Sequence, residues 1–332
     1  MTEMEDGSMK GIYFDGKSAV YRQDLPMPVP GETESLIRIV YAGICNTDRE
    51  ILKGYRPDFK GVMGHEFAGI VEQSSDPAWI GKRVVGELNA GCGKCIYCRT
   101  GREKHCLERR VIGMEKKDGC FAEYMTLETH LLHEIPEKLD FKTAIFTEPL
   151  AAALEVPKQV HMDPETTVAI VGDGRLAYQI AAVLHLYGVD LTIAGKHPDK
   201  LSKFSSFGKT VTETTDTYEV VVEASGSPTG LQIAMDLVRK QGTIVLKSTY
   251  SGKTQVDMSY FAVNEITLVG SRCGPFEPAL RLLEKGLVKL PTAEFYELSQ
   301  FDEAFSSRAF KAGFTVTGEE DSHGSLKRNY SY

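Results

Sequence analysis

The chain has 332 residues, which is enough for two domains of ordinary size. Hydrophobic residues make up 42% of it and charged residues 25%, proportions typical of a soluble globular protein. A formal charge of −8 without a basic tract argues against nucleic-acid binding. No apolar run reaches the ~20 residues that a membrane helix needs, so we expect no membrane association either.

The first half of the chain is predicted to be mainly β-structure. Residues 1–9 are polar and lack the apolar segment of a secretory signal, so they are predicted to form a flexible leader on a cytoplasmic protein. Over residues 10–150, short β-type runs such as SLIRIVYAGI and EFAGIVE alternate with turns rich in Gly and Pro. A cluster of cysteines interrupts this pattern.

Four of the seven cysteines lie close together, with spacings of two, two and seven residues. They are Cys92, Cys95, Cys98 and Cys106. Without an export signal, such clustering favours metal binding over disulfides. Structural zinc takes four thiolates, whereas the bacterial ferredoxin run ends with a spacing of three and a proline. We therefore predict a closed structural zinc site; four unligated buried thiols are the alternative.

Residues 151–285 alternate strands with amphipathic helices, which indicates a parallel, doubly wound sheet. The predicted elements are the strand VAIV, the helix RLAYQIAAVLHLYG, the strand DLTIAG, the helix DKLSKFSSFG, the strand YEVVVEA, the helix TGLQIAMDLVRK and the strands TIVLKS and EITLVGS. Residues 286–316 are mixed in pattern. Residues 317–332 are polar without an apolar period, and they are predicted to form a disordered tail.

The segment GDGRLA has the G-x-G-x-x-A form of a dinucleotide-binding turn between a strand and a helix. Gly172 permits the tight turn, Gly174 lets a pyrophosphate approach the helix N-terminus, and Ala177 allows close packing on the strand. The predicted cofactor contacts here are Gly172, Asp173, Gly174, Arg175 and Leu176. A tight turn in a sheet that binds another ligand is the alternative.

The end of the second strand in this region distinguishes the two nicotinamide cofactors. A carboxylate there binds the ribose 2′-hydroxyl of NAD(H), and a cation accepts the 2′-phosphate of NADP(H). Gly195 stands where the acid is expected, and Lys196 and His197 follow it, with Lys200 nearby. The sequence therefore favours NADP(H). The alternative is that Lys196 is a solvated loop lysine and both cofactors bind.

Candidate ligands for a second metal are scattered along the chain. Cys45 lies in GICNTD, His65 and Glu66 lie in GHEFAGI, and Glu148 lies in FTEPLAA. Taken singly, each has an ordinary structural role: a core thiol, a turn pair or a helix cap. Spacing alone leaves these alternatives open.

The motifs GICNTD, GHEFAGIV, the four-cysteine loop, DGCFAEY, EPLAAAL and GDGRLA follow one another in a familiar order. Over residues 10 to about 290 the chain resembles the zinc-containing medium-chain dehydrogenases/reductases, the alcohol dehydrogenase superfamily. It is most similar to the polyol, sugar and threonine dehydrogenase branch, because Glu148 replaces a cysteine ligand of the horse-liver type. The resemblance implies an α/β protein in which a GroES-like catalytic domain, 10–150 and 286–316, encloses a Rossmann domain, 151–285.

The resemblance also implies two zinc ions per chain and a set of roles for the scattered residues. Cys45, His65, Glu66 and Glu148 would surround the catalytic zinc. Asp48 would orient His65, and Thr47 would contact the alcohol and begin the proton path. Glu50 stands where the liver type has a proton-relaying histidine, so it is either a relay or a surface residue.

The implied contacts to the nicotinamide half of the cofactor follow the later strands of the parallel sheet. They are Ala224, Ser225, Gly226, Ser248, Thr249, Ser271, Arg272 and Cys273. Arg272 and Lys247 would meet an anionic substrate or the cofactor phosphates, or else form structural ion pairs. The strand EITLVGS suits the edge through which relatives form homodimers or homotetramers.

The predicted function is hydride transfer between a secondary alcohol or polyol, or its carbonyl, and a nicotinamide cofactor, with zinc activating the substrate oxygen. Two alternatives remain open at this point. One is a quinone or alkene reductase of the same superfamily without catalytic zinc. The other is a non-catalytic, dinucleotide-binding zinc protein.

Overall fold

The computed structural model describes residues 7–249 and 254–318. Most of the predicted leader and tail, residues 1–6 and 319–332, lies outside the described residues. Both boundaries need correction where the structure does describe them. Met9 pairs with Leu25 within the first strand pair, and Thr317 donates a hydrogen bond to the Ile39 carbonyl at 2.8 Å. Ordered structure therefore begins before residue 10 and continues past residue 316.

The N-terminal part consists mainly of short strands around one long buried strand. The strands are β1 (Ser8–Phe14), β2 (Ala19–Pro26), β3 (Glu34–Gly43), β4 (Gly61–Val62), β5 (Glu66–Ser74), β6 (Arg83–Gly86), β7 (Asn89–Ala90), β8 (Arg110–Ile112), β9 (Lys116–Lys117), β10 (Tyr124–Glu128) and β11 (Leu132–Glu134). The helices are α1 (Asn46–Leu52), α2 (Ile96–Arg99), α3 (Phe141–Ala144) and α4 (Thr147–Gln159). Strand β3 is buried at almost every position and pairs with both β5 and β10.

The middle part is a parallel sheet flanked by helices. Its elements are β12 (Thr167–Val171), α5 (Arg175–Leu186), β13 (Asp190–Ala194), α6 (Pro198–Leu201), β14 (Lys209–Val211), β15 (Tyr218–Glu223), α7 (Gly230–Leu237), β16 (Val238–Leu246), α8 (Met258–Asn264), β17 (Thr267–Gly270) and α9 (Phe276–Glu284). The strand order is β14-β13-β12-β15-β16-β17, which is the doubly wound arrangement. The strand order changes direction next to β12, and ligands bind at the carboxyl edge of such a switch point.

The last elements rejoin the N-terminal sheet. They are β18 (Ala293–Glu297), α10 (Phe301–Ser306) and β19 (Lys311–Thr315). Strand β19 pairs with β3 in antiparallel fashion and with β18 in parallel fashion. The predicted α/β class is therefore confirmed: a mainly-β unit built from both ends of the described chain, plus a doubly wound parallel sheet.

Helix α4 joins the two units, because the largest hydrophobic cluster crosses from one to the other. This cluster contains Val40 and Ala68 of the N-terminal sheet, Leu150 of α4, and Ile170 and Val220 of the parallel sheet. A shared core of this kind packs the parallel sheet against the N-terminal unit. No helix in the described part of the chain has both the length and the apolar character needed to cross a membrane.

Some predicted elements differ from the observed ones. The helix predicted over TGLQIAMDLVRK ends at Leu237, because Val238 already pairs with Tyr218 at the start of β16. Strand pairing decides the structure of these residues over their helical pattern. Helices α8 and α9 and strand β14 were not predicted.

Candidate metal centre and cofactor cleft

Three of the four scattered candidate ligands converge in the structure. Cys45 lies just before α1, His65 precedes β5, and Glu66 opens β5. The pairing of Gly43 with Glu66 across β3 and β5 brings these segments together, and a Cβ at Gly43 would lie 2.5 Å from Glu66 Oε2. One potential ligand atom from each of Cys45, His65 and Glu66 lies within 4.8 Å of the others. A thiolate, an imidazole and a carboxylate form a donor set that suits zinc.

Asp48 supports this set from behind. Its side chain is fully buried, and its Oδ2 accepts the backbone N–H of Cys45 at 2.8 Å. Its Oδ1 lies 3.3 Å from His65 Nδ1, which leaves Nε2 as the ring nitrogen available to a metal. Burial acts to lower the pKa of His65, but the charges of Asp48 and Cys45 outweigh it and raise that pKa well above its usual range. The negative charges of Asp48 and Cys45 therefore favour a positive charge at this buried position.

The fourth candidate, Glu148, stands beside the convergent set rather than within it. It lies in the first turn of α4 and is partly buried. Burial raises the pKa of Glu148 to about 7; the charge of His65 opposes this rise and the charge of Glu66 adds to it. The charges of the centre therefore influence the pKa of Glu148, but its carboxylate oxygens are not among the grouped ligand atoms.

Lys311, which the sequence analysis did not identify, forms a buried ion pair with Glu66. Its Nζ contacts Glu66 Oε2, and only 4% of the residue is exposed. The lysine opens β19, whose pairing with β3 places it over the centre. The signal for Lys311 in the sequence is a single charged residue between the mainly apolar residues of AFKAGF. Its partner, 245 positions away in sequence, could not be found from local pattern.

Thr47 and Glu50 occupy the first turns of α1. Thr47 Oγ1 lies 3.8 Å from Cys45 Sγ, so the hydroxyl borders the candidate metal position. Glu50 accepts a hydrogen bond from Lys53 Nζ at 3.0 Å. With only 19% of its side chain exposed, Glu50 is not a freely solvated surface residue.

Arg175 links the parallel sheet to the return segment of the chain. It is the first residue of α5, and it donates to the carbonyl oxygens of Phe310 at 2.7 Å and Ala309 at 3.2 Å. Arg49, also missed from sequence, donates to the Phe305 carbonyl at 3.1 Å. Both cations therefore hold the segment that leads into Lys311.

The four cysteines of the loop converge as a second group. Cys95 Sγ lies 3.5 Å from Cys98 Sγ and 3.8 Å from Cys106 Sγ, and none of the four is in a disulfide. Backbone N–H groups of Cys98 and Leu107 lower the pKa of Cys95 to about 6, which favours a thiolate. One Sγ from each of the four cysteines lies within 4.8 Å of the others, an arrangement that suits a closed tetrahedral zinc site.

The predicted dinucleotide turn connects β12 to α5 at the switch point of the sheet. Gly172 has a φ of +132°, and a Cβ there would lie 2.7 Å from the Ala224 carbonyl oxygen. Gly174 caps α5 and faces open space, so the helix N-terminus is accessible to an anion. The side chain of Leu176, by contrast, packs against the hydrophobic core. Only its backbone is placed to meet a cofactor.

The remaining predicted cofactor residues lie at the ends of β15, β16 and β17. They are Ala224, Ser225, Gly226, Ser248, Thr249, Ser271, Arg272 and Cys273. Ser248 Oγ accepts the Gly226 N–H at 2.8 Å, so these loops are tied together. They line the same edge of the sheet as the glycine turn.

Lys247 and Arg272 form no ion pair with a described residue. Lys247 is buried and donates to the Ala152 carbonyl at 2.8 Å, the Arg272 carbonyl at 2.9 Å and Ser271 Oγ at 3.2 Å. Burial lowers its pKa to about 8. Arg272 donates to Asn89 Oδ1 at 2.9 Å. Structural ion pairs, one alternative for these two residues, are therefore not what the described contacts show.

At the end of β13, Lys196 and His197 are exposed, and their backbone N–H groups donate to the Asp173 carboxylate, each at 2.8 Å. Gly195 is buried against the same Asp173 side chain. Lys200 Nζ lies 3.9 Å from Asp173 Oδ1. The backbone of Lys196 and His197 and the Lys200 ammonium group therefore lie around a carboxylate that belongs to the glycine turn.

Comparisons with known proteins agree with this geometry. Residues 31–137 match the alcohol dehydrogenase GroES-like domain, and residues 171–285 match the zinc-binding dehydrogenase family. A sorbitol dehydrogenase of Halalkalibacterium halodurans is 30% identical over 322 residues, covering 89% of this chain and 93% of the relative. A D-arabitol-phosphate dehydrogenase of Enterococcus avium is 29% identical, covering 90% of this chain and 94% of the relative.

Solved structures show the same fold. A protein of Sinorhizobium meliloti 1021 described as a zinc-binding dehydrogenase, bound to NADP, superposes with a TM-score of 0.83 at 26% identity, covering 93% of this chain and 100% of its own. An alcohol dehydrogenase of Escherichia coli CFT073 in complex with NADH gives a TM-score of 0.83 at 25% identity, covering 93% and 99%. The chain therefore belongs to the zinc-containing medium-chain alcohol dehydrogenase superfamily, near its polyol dehydrogenase branch.

Proposed function

We propose that the protein is a zinc-dependent oxidoreductase that transfers hydride between a secondary alcohol or polyol, or its carbonyl, and a nicotinamide cofactor. The observation that carries this proposal is the convergence of Cys45, His65 and Glu66. Relatives that are sorbitol and arabitol-phosphate dehydrogenases support the same chemistry.

Two zinc ions per chain fit the side chains present. Cys45, His65 and Glu66 would hold the catalytic ion, with Glu148 next to it, and Cys92, Cys95, Cys98 and Cys106 would hold the structural one. When bound, the catalytic zinc supplies a Lewis acid that lowers the pKa of the substrate hydroxyl, and the nicotinamide ring exchanges the hydride.

The residues of the chain orient these groups and carry the proton. The Asp48 carboxylate holds the His65 ring so that Nε2 faces the cleft. Thr47 Oγ1 accepts the proton of the substrate hydroxyl while releasing its own hydroxyl proton. That proton passes through water to Glu50, one turn further along α1, and on towards solvent. Lys311 holds the Glu66 carboxylate in place and balances part of its charge.

For the cofactor, we propose binding across the carboxyl edge of the parallel sheet. The pyrophosphate would meet the backbone of Gly172, Asp173, Gly174, Arg175 and Leu176, and the nicotinamide would lie at the loops after β15, β16 and β17. Gly195, Lys196 and His197 would contact the adenosine ribose, and the cation of Lys196, with Lys200 nearby, favours NADP(H).

The assembly is proposed to be a homodimer or homotetramer of a cytoplasmic protein. Strand β17 lies at the edge of the parallel sheet, and Leu268 on it is 42% exposed. An exposed apolar edge strand favours pairing with a second copy. Light scattering tests this, and a monomeric mass at micromolar concentration would contradict it.

The experiment for the activity is a cofactor-absorbance assay over alcohols, polyols, aldehydes and quinones, together with metal analysis of the same sample. We expect polyol or alcohol turnover and two zinc ions per chain. Quinone reduction with one zinc per chain would instead identify a reductase without catalytic zinc. Tight cofactor binding without turnover over the whole panel would identify a non-catalytic protein.

A further inference from the structure

Asp173 lies in the glycine turn after β12, but its carboxylate binds the backbone that follows the neighbouring strand, β13. Asp173 Oδ2 accepts the backbone N–H groups of Lys196 and His197, each at 2.8 Å, and contacts His197 Nδ1 at 2.8 Å. Only 9% of the residue is exposed. A carboxylate with this many partners is held in one position at the end of β13.

That position is the space that a side chain at residue 195 would fill. A Cβ at Gly195 would lie 2.7 Å from Asp173 Cβ and 2.9 Å from Asp173 Oδ2. In Rossmann domains that use NAD(H), the acid that binds the ribose 2′-hydroxyl comes from this strand end. In this chain, a carboxylate stands next to the same place but arrives from the turn after β12.

The second carboxylate oxygen, Oδ1, accepts no hydrogen bond from any residue in the described ranges, and the nearest cation is Lys200 Nζ at 3.9 Å. Burial acts to raise the pKa of Asp173, but the N–H and ring of His197 outweigh it and lower that pKa. Asp173 is therefore ionised at neutral pH, and its Oδ1 is free to accept a hydrogen bond.

We propose that Asp173 is the residue that discriminates between the two cofactors: its Oδ1 accepts the ribose 2′-hydroxyl of NAD(H), and its negative charge opposes the 2′-phosphate of NADP(H). This inference rests on the proposed binding of a nicotinamide cofactor. The Lys196 and Lys200 ammonium groups act in the opposite sense. Asp173 thus limits the NADP(H) preference that those cations favour.

The test is the dissociation constant of each reduced cofactor, measured by fluorescence titration of the zinc-loaded protein without substrate. For Asp173→Asn, the Kd for NADH rises and the Kd for NADPH falls. The ratio of the two constants shifts about tenfold or more towards NADPH, the size of one hydrogen bond to a charged group. Asp199→Asn is the matched control, because Asp199 is exposed nearby in α6 and has no side-chain partner there. It leaves the ratio unchanged.

A second variant guards against a local folding defect in the first. The double substitution Asp173→Gly with Gly195→Asp moves the acid to the strand end and removes the close Cβ contact. Gly195 has no left-handed φ, so the backbone accepts the change. This variant regains the NADH affinity that Asp173→Gly alone loses.

Three results would overturn the inference. They are an unchanged ratio in Asp173→Asn, an equal loss of both cofactors, and failure of the double variant to regain NADH affinity while its circular dichroism melting curve matches the wild type. A wild-type protein that binds neither cofactor would overturn the proposed function as well. The two failures are therefore distinguishable.

Discussion

The two candidate metal sites of this protein are built in opposite ways. The four-cysteine lobe draws its ligands from one stretch of chain, Cys92 to Cys106, and its donors are identical. The cleft site draws Cys45, His65 and Glu66 from segments that the pairing of β3 with β5 brings together. It also carries a buried ion pair to Lys311 and a neighbouring acid, Glu148, with a raised pKa.

This difference in construction indicates that the four-cysteine site has a structural role and the cleft site a chemical one. Four thiolates around one ion close its coordination shell, which leaves no room for substrate. In the cleft, three different donors with Glu148 beside them leave a coordination position on the metal open. These donors also lie at the edge of the sheet that is proposed to bind the cofactor. We therefore expect damage to the lobe to affect stability and damage to the cleft to affect chemistry.

The largest effect should follow Cys45→Ser. Losing the thiolate removes the cleft metal, so kcat/KM falls by at least about a thousandfold, in line with several kcal/mol of transition-state stabilisation. Metal analysis should show a fall from two zinc ions per chain to one, with little change in Tm. Cys120→Ala is the control, because burial raises the pKa of Cys120 and keeps it an uncharged thiol outside the ligand set. Two zinc ions in Cys45→Ser would show that Cys45 is not a metal ligand.

The lobe should respond in the other way. Cys95→Ser removes the lobe metal, and because structural zinc contributes directly to folding, Tm falls by about 5 °C or more. At 25 °C the remaining folded enzyme keeps activity within about threefold of wild type, since no lobe atom is proposed to contact substrate. Differential scanning calorimetry and the absorbance assay on one sample check both. Complete inactivity at unchanged Tm would contradict the division of roles.

Lys104 lies within the four-cysteine segment and connects it to helix α4 and to the loop after β17. Its Nζ donates to Glu155 Oε1 of α4 at 2.7 Å and to the Cys273 carbonyl at 2.8 Å. Lys104→Met should lower the free energy of unfolding by about 1–3 kcal/mol, because the buried Glu155 carboxylate loses its partner. Lys158→Met, which removes an exposed cation 3.9 Å from Glu155, should cost less than about 0.5 kcal/mol. Urea unfolding measures both, and equal costs would remove the proposed link.

The smallest effect concerns the lobe at different pH values. Glu103 accepts the Gly91 N–H at 2.7 Å and contacts His130 Nε2 at 3.0 Å. The Glu103 carboxylate is the main cause of a raised His130 pKa. The pair therefore stabilises the fold fully below the unfolded pKa of about 6.5 and loses this contribution as pH rises through the folded pKa.

His130→Gln should accordingly lower Tm at about pH 5.5 and change it little at about pH 9. Because His130 is more than half exposed, the effect stays below about 1 kcal/mol. Thermal melts of both proteins at the two pH values provide the measurement. A larger effect at high pH would show that the histidine acts through packing instead.

Local sequence carries much of this architecture. The cysteine spacing and the glycine turn could be interpreted from sequence alone, because all the residues of each site lie within about fifteen consecutive positions. Helix α9 was also available to local reasoning, since its buried residues, Phe276, Ala279, Leu280 and Leu283, follow the spacing of an amphipathic helix. It was missed because it lies at the predicted domain boundary.

Other features depend on pairings that no local pattern records. Lys311 reaches Glu66 only because β19 returns to β3. The role of Asp173 depends on the approach of the β12 turn to Gly195. The end of α7 at Leu237 is set by the partner strand of Val238. Each is a long-range contact in which tertiary structure overrides or completes the local signal.

Diffraction from the zinc-loaded protein on either side of the zinc absorption edge would locate both proposed metal ions. We expect two anomalous peaks per chain, one among Cys92, Cys95, Cys98 and Cys106 and one bound by Cys45 Sγ, His65 Nε2 and a Glu66 oxygen. A single peak in the lobe, with the cleft side chains turned away from one another, would contradict this expectation.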